Sequence, residues 1–95
     1  MSYDYLVIAG TQGTRGHMKK DRLFAILRDQ ELPLVIFAEG GGGRPNDFSH
    51  DGGSAGLGVP TWHSLANMRG VKIGVASGYC FAGNAALLGM CDLIV

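Results

Sequence analysis

The chain has 95 residues, enough for one domain with a modest core and too few for two. Eight basic and eight acidic residues cancel, which excludes the positive field that a general nucleic-acid surface or an anionic membrane patch requires. No apolar run approaches the ~20 residues of a membrane helix, and the start Met-Ser-Tyr-Asp lacks the regions of a signal peptide. Cys80 and Cys91 fit neither a CxxC redox pair nor zinc-ligand spacing, so the expected setting is a reducing cytoplasm with both thiols as small buried apolar groups. His17, His50 and His63 are scattered and read as surface or capping groups, so no metal is expected.

In chain order, Tyr5–Ala9 is an apolar run ending at Gly10 and predicts a strand. From His17 to Arg28, Leu23, Ile26 and Leu27 share one face while Lys19, Lys20, Asp21 and Arg28 lie outside it, the pattern of an amphipathic helix. Leu34–Ala38 is a continuous apolar run of the kind found in a strand buried on both faces. Residues 40–58 are dominated by glycine, asparagine, aspartate and serine, a long loop whose composition predicts mobility and makes it a candidate lid. Pro60 suits a first helical turn, Thr61 to Arg69 carries Trp62, Leu65 and Met68 as core residues, and Gly70 suits the helix end. Lys72–Ala76 predicts a strand, Gly83 to Met90 a short helix, and Asp92–Val95 a last strand. The alternation favours a mainly parallel sheet with right-handed crossover helices. The chain ends in or just after that last strand, which predicts a piece of a longer polypeptide.

The two glycine-dense turns carry the functional signal. Glu39-Gly40-Gly41-Gly42-Gly43-Arg44-Pro45 and Gly78-Tyr79-Cys80-Phe81-Ala82-Gly83-Asn84 each follow a predicted strand. With few side chains to offer, such loops support chemistry through backbone N–H groups aimed at developing negative charge. Their structural alternative is a pair of tight turns that let a helix pack on the sheet.

These turns, with Val7-Ile8-Ala9-Gly10-Thr11-Gln12-Gly13 and the stretch Cys91-Asp92-Leu93-Ile94-Val95, resemble the carboxyltransferase domain of biotin-dependent acyl-CoA carboxylases. The resemblance covers nearly the whole chain in order. It implies an α/β fold of crotonase-like (ClpP/crotonase) β-α superhelix type, partial here, with residues 1–95 forming part of a single carboxyltransferase domain. It also implies transfer of a carboxyl group from carboxybiotin to the α-carbon of an acyl-CoA through an enolate held in an oxyanion hole. Gly42 or Gly43 matches the first amide position and Gly83 the second, with Ala82 beside it. The implied cofactor is biotin on a carrier domain and the implied substrate a coenzyme A thioester. Implied partners are biotin carboxyl carrier and biotin carboxylase components in a homo-oligomer. Superfamily hydratases place a catalytic glutamate where this chain has Ala86, and a Clp-type peptidase needs its nucleophile near Ala82, so neither activity is expected.

Four cations are candidate substrate contacts. Arg44 follows the glycine run and either steadies the loop or meets a carboxylate or phosphate with its planar fork. Arg15, Lys19 and Lys20 surround a predicted helix start and either contact coenzyme A phosphates or form a solvated basic face. Glu39 is read as accepting loop amides, without a catalytic part. Two alternatives remain beside the carboxyltransferase: another crotonase-like isomerase or hydrolase, and a noncatalytic fragment or assembly module.

Overall fold

The computed structural model describes residues 1–44 and 60–95, so most of the candidate lid lies outside the described residues. Helix α1 (Thr14–Asp29) leads to strand β1 (Leu34–Phe37), helix α2 (Thr61–Ala66), strand β2 (Lys72–Val75), helix α3 (Ala82–Gly89) and strand β3 (Leu93–Ile94). The strands form a parallel sheet in the order β1-β2-β3, with Leu34 opposite Lys72, Phe37 opposite Val75 and Gly74 opposite Ile94. The result is an α/β fold with a small parallel sheet and helical connections, as the alternation of patterns predicts.

The core joins all three helices to β1. Phe24 of α1, Leu65 of α2 and Leu87 of α3 are buried with Leu34, Ile36, Ala38 and Met68, and Trp62 packs against this cluster. Fully burying a side chain of this size contributes about 1.5–3 kcal/mol, so this cluster is the main source of stability. Helix α3 approaches the sheet closely because β2 carries Gly74 there. A Cβ at that position would lie 2.7 Å from Leu88 Cδ1 and 3.0 Å from Cys91 Sγ.

Four expectations need correction. Tyr5–Ala9 is no strand: Tyr5 to Val7 form a turn and Ile8–Gly10 a short 3-10 turn. Asp4 Oδ1 accepts the Leu6 amide at 2.9 Å, and Val7, Gly10 and Thr11 donate to carbonyls three residues back, so the backbone is satisfied locally rather than in a sheet. It is Met1–Tyr3 that meets the sheet edge. Phe37 N donates to Met1 O at 2.9 Å and Tyr3 N to Phe37 O at 3.3 Å. Second, β1 is covered on one face only, alternating Leu34 and Ile36 inside with Val35 and Phe37 outside.

Third, His17 is buried rather than superficial. Helix α1 starts at Thr14, three residues earlier than its hydrophobic pattern predicts, which turns His17 inward with Nδ1 3.0 Å from Thr61 Oγ1 and its ring edge-on to Trp62. His63 is exposed and His50 lies outside the described residues. Fourth, the thiols are half-buried and hydrogen-bonded, Cys80 Sγ to Ala38 O and Cys91 Sγ to Leu87 O. Burial pushes both thiols up from their ordinary range, which keeps them protonated and unreactive.

Candidate active site

The two glycine turns leave neighbouring parallel strands, β1 and β2, at their C-terminal ends, the place where open parallel sheets present ligand sites. They are tied together by backbone. Gly40 N donates to Tyr79 O at 2.8 Å and Phe81 N to Gly40 O at 2.9 Å, a parallel bridge between the turns. Below it, Glu39 accepts from Ser77 N at 2.9 Å and from Ser77 Oγ, and the Ser77 hydroxyl and amide hold its carboxyl below the usual range. Glu39 thus clamps the strand ends through Ser77, rather than only accepting the amides of its own loop.

Gly42 is where the turns meet. Its φ of +88° is a conformation that favours glycine, and a Cβ there would lie 2.6 Å from Ala82 Cβ and 3.2 Å from Gly83 N. The first loop therefore approaches Ala82 and Gly83 closely at Gly42. Within the first loop the two candidates differ. Gly42 is buried and gives its N–H to Asn84 Oδ1 at 2.9 Å, whereas Gly43 is exposed and its N–H has no acceptor among the described residues.

Helix α3 supplies the other side. Phe81 is its N-cap with an extended backbone and no side-chain cap, and the first intrahelical acceptor, Phe81 O, serves Asn84 N and Ala85 N. The amides of Ala82 and Gly83 consequently have no acceptor among the described residues, and Ala82 is exposed while Gly83 is half-buried. The helix dipole places partial positive charge at these groups. Gly43, Ala82 and Gly83 thus have amides without acceptors among the described residues, the kind of donor that suits an oxygen gaining negative charge.

A cavity of about 810 Å³ gathers all four predicted cations, Arg15, Lys19, Lys20 and Arg44, in its walls, and Gly42, Gly43, Ala82 and Gly83 are not among the described residues that line it. Their states differ. Arg15 and Lys19 are exposed at the start of α1. Arg44 is half-buried, donating from Nη2 to Thr11 O at 3.2 Å and from Nε to Thr11 Oγ1 at 3.3 Å, so it steadies the loop as one of its two readings holds. Lys20 is 5% exposed, with its ammonium donated to Tyr3 Oη at 2.8 Å and to Gln12 Oε1. It lies in the wall and not on the solvated face. Burial lowers it to about 8, and burial with the nearby Cys80 raises the Tyr3 hydroxyl well above its ordinary value.

Sequence reasoning missed Gln12 and Asn84, which are 2% and 0% exposed and connect these parts. Gln12 Nε2 donates to Asn84 Oδ1 at 3.3 Å, and Asn84 Nδ2 donates to Gly10 O and Glu39 O, each at 3.2 Å. The available signal was a carboxamide inside the otherwise small and apolar Ala82–Gly89 helix, because such a group is buried only with partners.

Family models give no match to the chain, and curated proteins give none either. Among solved structures, a single-chain, multi-domain long-chain acyl-CoA carboxylase is similar, with a TM-score of 0.85 and 57% identity. The match covers 98% of this chain and spans 9% of that one. By sequence and by fold these residues correspond to a segment of that long-chain acyl-CoA carboxylase, in line with the resemblance that the glycine turns carry.

Proposed function

We propose that residues 1–95 form part of a single carboxyltransferase domain and contribute one oxyanion site, which binds the thioester of an acyl-CoA while a carboxyl group is transferred to its α-carbon. The observation that supports this reading is the close approach of Gly42 to Ala82 and Gly83, together with amides of Gly43, Ala82 and Gly83 that have no acceptor among the described residues. Similarity to a long-chain acyl-CoA carboxylase supplies the reaction class.

The residues of the chain bind and polarise. The amides hold the thioester oxygen as it becomes an enolate, and losing one such donor lowers the rate by about 10²- to 10³-fold elsewhere. Arg15, Lys19 and the remaining nitrogen of Arg44 line the cavity and offer positive charge to coenzyme A phosphates. Carboxybiotin, brought by a carrier component, is the co-substrate, supplying the carboxyl group and, once that has left, a basic nitrogen for the α-proton. The absence of an acid or base at Ala82 and Ala86 agrees with a site that supplies electrostatics and position. In this reading the chain works in a cytoplasmic, biotin-dependent assembly with carrier and biotin carboxylase components, in a homo-oligomer.

The test is exchange of the segment. The long-chain acyl-CoA carboxylase with this sequence in place of its own matching segment should carboxylate acyl-CoA, and the same chimera bearing Gly83→Val should lose that activity while remaining folded. A folded chimera that binds acyl-CoA yet transfers no carboxyl group would favour the noncatalytic alternative.

A further inference from the structure

The buried polar chain behind the glycine turns has no part in the site so far. It runs from Tyr3 Oη to Lys20 Nζ, to the Gln12 carboxamide, to the Asn84 carboxamide, and ends on the Gly42 amide. Three of its side chains, Gln12, Lys20 and Asn84, are at most 5% exposed, and no buried side-chain polar atom among the described residues lacks a partner. Burying an ammonium and two carboxamides is costly for a small domain, and a simple core filler of the same volume avoids that cost.

We infer that Asn84, oriented by Gln12 and Lys20, is the positioning residue of the oxyanion site, locking the Gly42 peptide against the first turn of α3. The inference rests on the carboxyltransferase reading above. Asn84 occupies three backbone groups at once. Its oxygen accepts from Gly42 N, and its nitrogen donates to Gly10 O and Glu39 O, which fixes the glycine loop, the turn before α1 and the end of β1 from a single side chain. Because Asn84 is itself the third residue of α3, the loop is referred to the same helix whose first amides have no acceptor among the described residues.

The orientation of its carboxamide is set from behind. Lys20 can only donate, so Gln12 must turn Oε1 to it and Nε2 to Asn84, which in turn must present Oδ1 to both Gln12 and Gly42. A reversed amide anywhere along the chain would bring donor against donor. Lys20 thereby determines the loop geometry from two residues away without touching substrate. The rim of the site is also affected, since Gln12 O accepts from Arg44 N at 2.8 Å and Gln12 N donates to Gly42 O at 2.7 Å.

The experiment uses the chimeric carboxylase described above, with kcat, KM for acyl-CoA and hydrogen exchange of the peptide covering residues 39–44. Asn84→Ala removes all three contacts. Asn84→Asp keeps the acceptor for Gly42 but withdraws both donors, and Gln12→Glu keeps the acceptor for Lys20 but sets oxygen against Asn84 Oδ1. We expect kcat to fall by about 10²-fold in Asn84→Ala and about tenfold in the other two, with KM within about twofold and an unchanged circular-dichroism spectrum. Exchange of the loop should quicken in Asn84→Ala and stay near the parent in Asn84→Asp. A parent kcat in Asn84→Ala, or losses that appear only in KM, overturns the positioning role. If the unsubstituted chimera transfers no carboxyl group, the carboxyltransferase reading has failed instead. Unchanged exchange in Asn84→Ala would then overturn the anchoring of the loop on its own.

Discussion

The two glycine turns look alike in sequence and use their amides in opposite ways. In the first, Gly40, Gly41, Gly42 and Arg44 give their N–H groups to Tyr79 O, Ala9 O, Asn84 Oδ1 and Gln12 O, which leaves Gly43 as the accessible donor. In the second, the helix that follows leaves both Ala82 and Gly83 without acceptors among the described residues. A buried loop must satisfy its backbone internally, whereas a helix start has donors to spare. Glycine content therefore measures how closely a loop can be packed, and the helix start measures how many amides it can offer.

Substituting glycines in the two turns should separate these roles. Gly42→Val is expected to have the largest effect, since a branched Cβ at φ +88° and 2.6 Å from Ala82 Cβ adds strain and overpacking that together cost about 3 kcal/mol. Thermal unfolding would read this as a clear drop in Tm, and an unchanged Tm would mean that the turns are not clamped at this point. Gly83→Val should act on function instead. Its Cβ would lie 3.1 Å from Gln12 Nε2, so that side chain must give by a few tenths of an ångström, and 3.6 Å from Trp62 Cη2; the fold should persist with a small loss of Tm while carboxylation by the chimera falls by more than about tenfold. Parent turnover by a folded Gly83→Val would reduce that turn to a structural feature.

Lys20 tests the network that holds the first turn. With its ammonium lowered to about 8 in the fold and at 10.5 when exposed, the unfolded state binds more protons between these values, so stability should rise across that window. From pH 8 to pH 10 the Lys20 contribution should be about 2 kcal/mol, opposed in part by the raised Cys80 and Cys91 thiols, and is read as the difference between the parent and Lys20→Met by denaturant titration. The raised Tyr3 hydroxyl works the other way above pH 10, where the unfolded chain loses its proton first. Lys20→Met should abolish the rise while retaining the alkaline fall. Parallel profiles for the two proteins would place Lys20 in solvent and undo the chain of amides that depends on it.

Much of this architecture is legible in the sequence, and the failures have local causes. The strands Leu34–Phe37 and Lys72–Val75 lie within the apolar runs read at Leu34–Ala38 and Lys72–Ala76, and the helices follow from apolar spacing, because burial in the core demands apolar residues there. Tyr5–Ala9 is equally apolar, but Asp4 accepts the Leu6 amide and starts a turn, and Leu6 ends 93% exposed. Composition alone does not reveal that capture. At the site, the turns and the meeting of Gly42 with Gly83 are readable, since glycine marks close backbone approach. Gln12, Lys20 and Asn84 are not, because each acquires its role from partners distant in sequence, up to 72 residues apart for Gln12 and Asn84. Lys20 sits in an amphipathic pattern as an outer residue and is drawn inward only by Tyr3 and Gln12.

The smallest expected effect lies at the rim, where Arg44 ends the described part of the first turn. Its guanidinium donates from Nε and Nη2 to Thr11, and its N–H to Gln12 O, so two of its five guanidinium donors are spent on the loop, and Arg44 lines the cavity with Arg15 and Lys19. Arg44→Ala leaves the backbone bond to Gln12 and the amides of Gly43, Ala82 and Gly83 in place. The consequence should fall on binding: KM for acyl-CoA in the chimera should rise by about three- to tenfold, the size of one partly solvated charge contact, with kcat within about twofold. Added salt should weaken acyl-CoA binding by the parent more than by Arg44→Ala, since the arginine's attraction for a phosphate is screened over about 10 Å at 0.1 M. A fall in kcat with unchanged KM would instead mean that the Thr11 contacts of Arg44 keep Gly43 in register, making the rim part of the same clamp as Asn84.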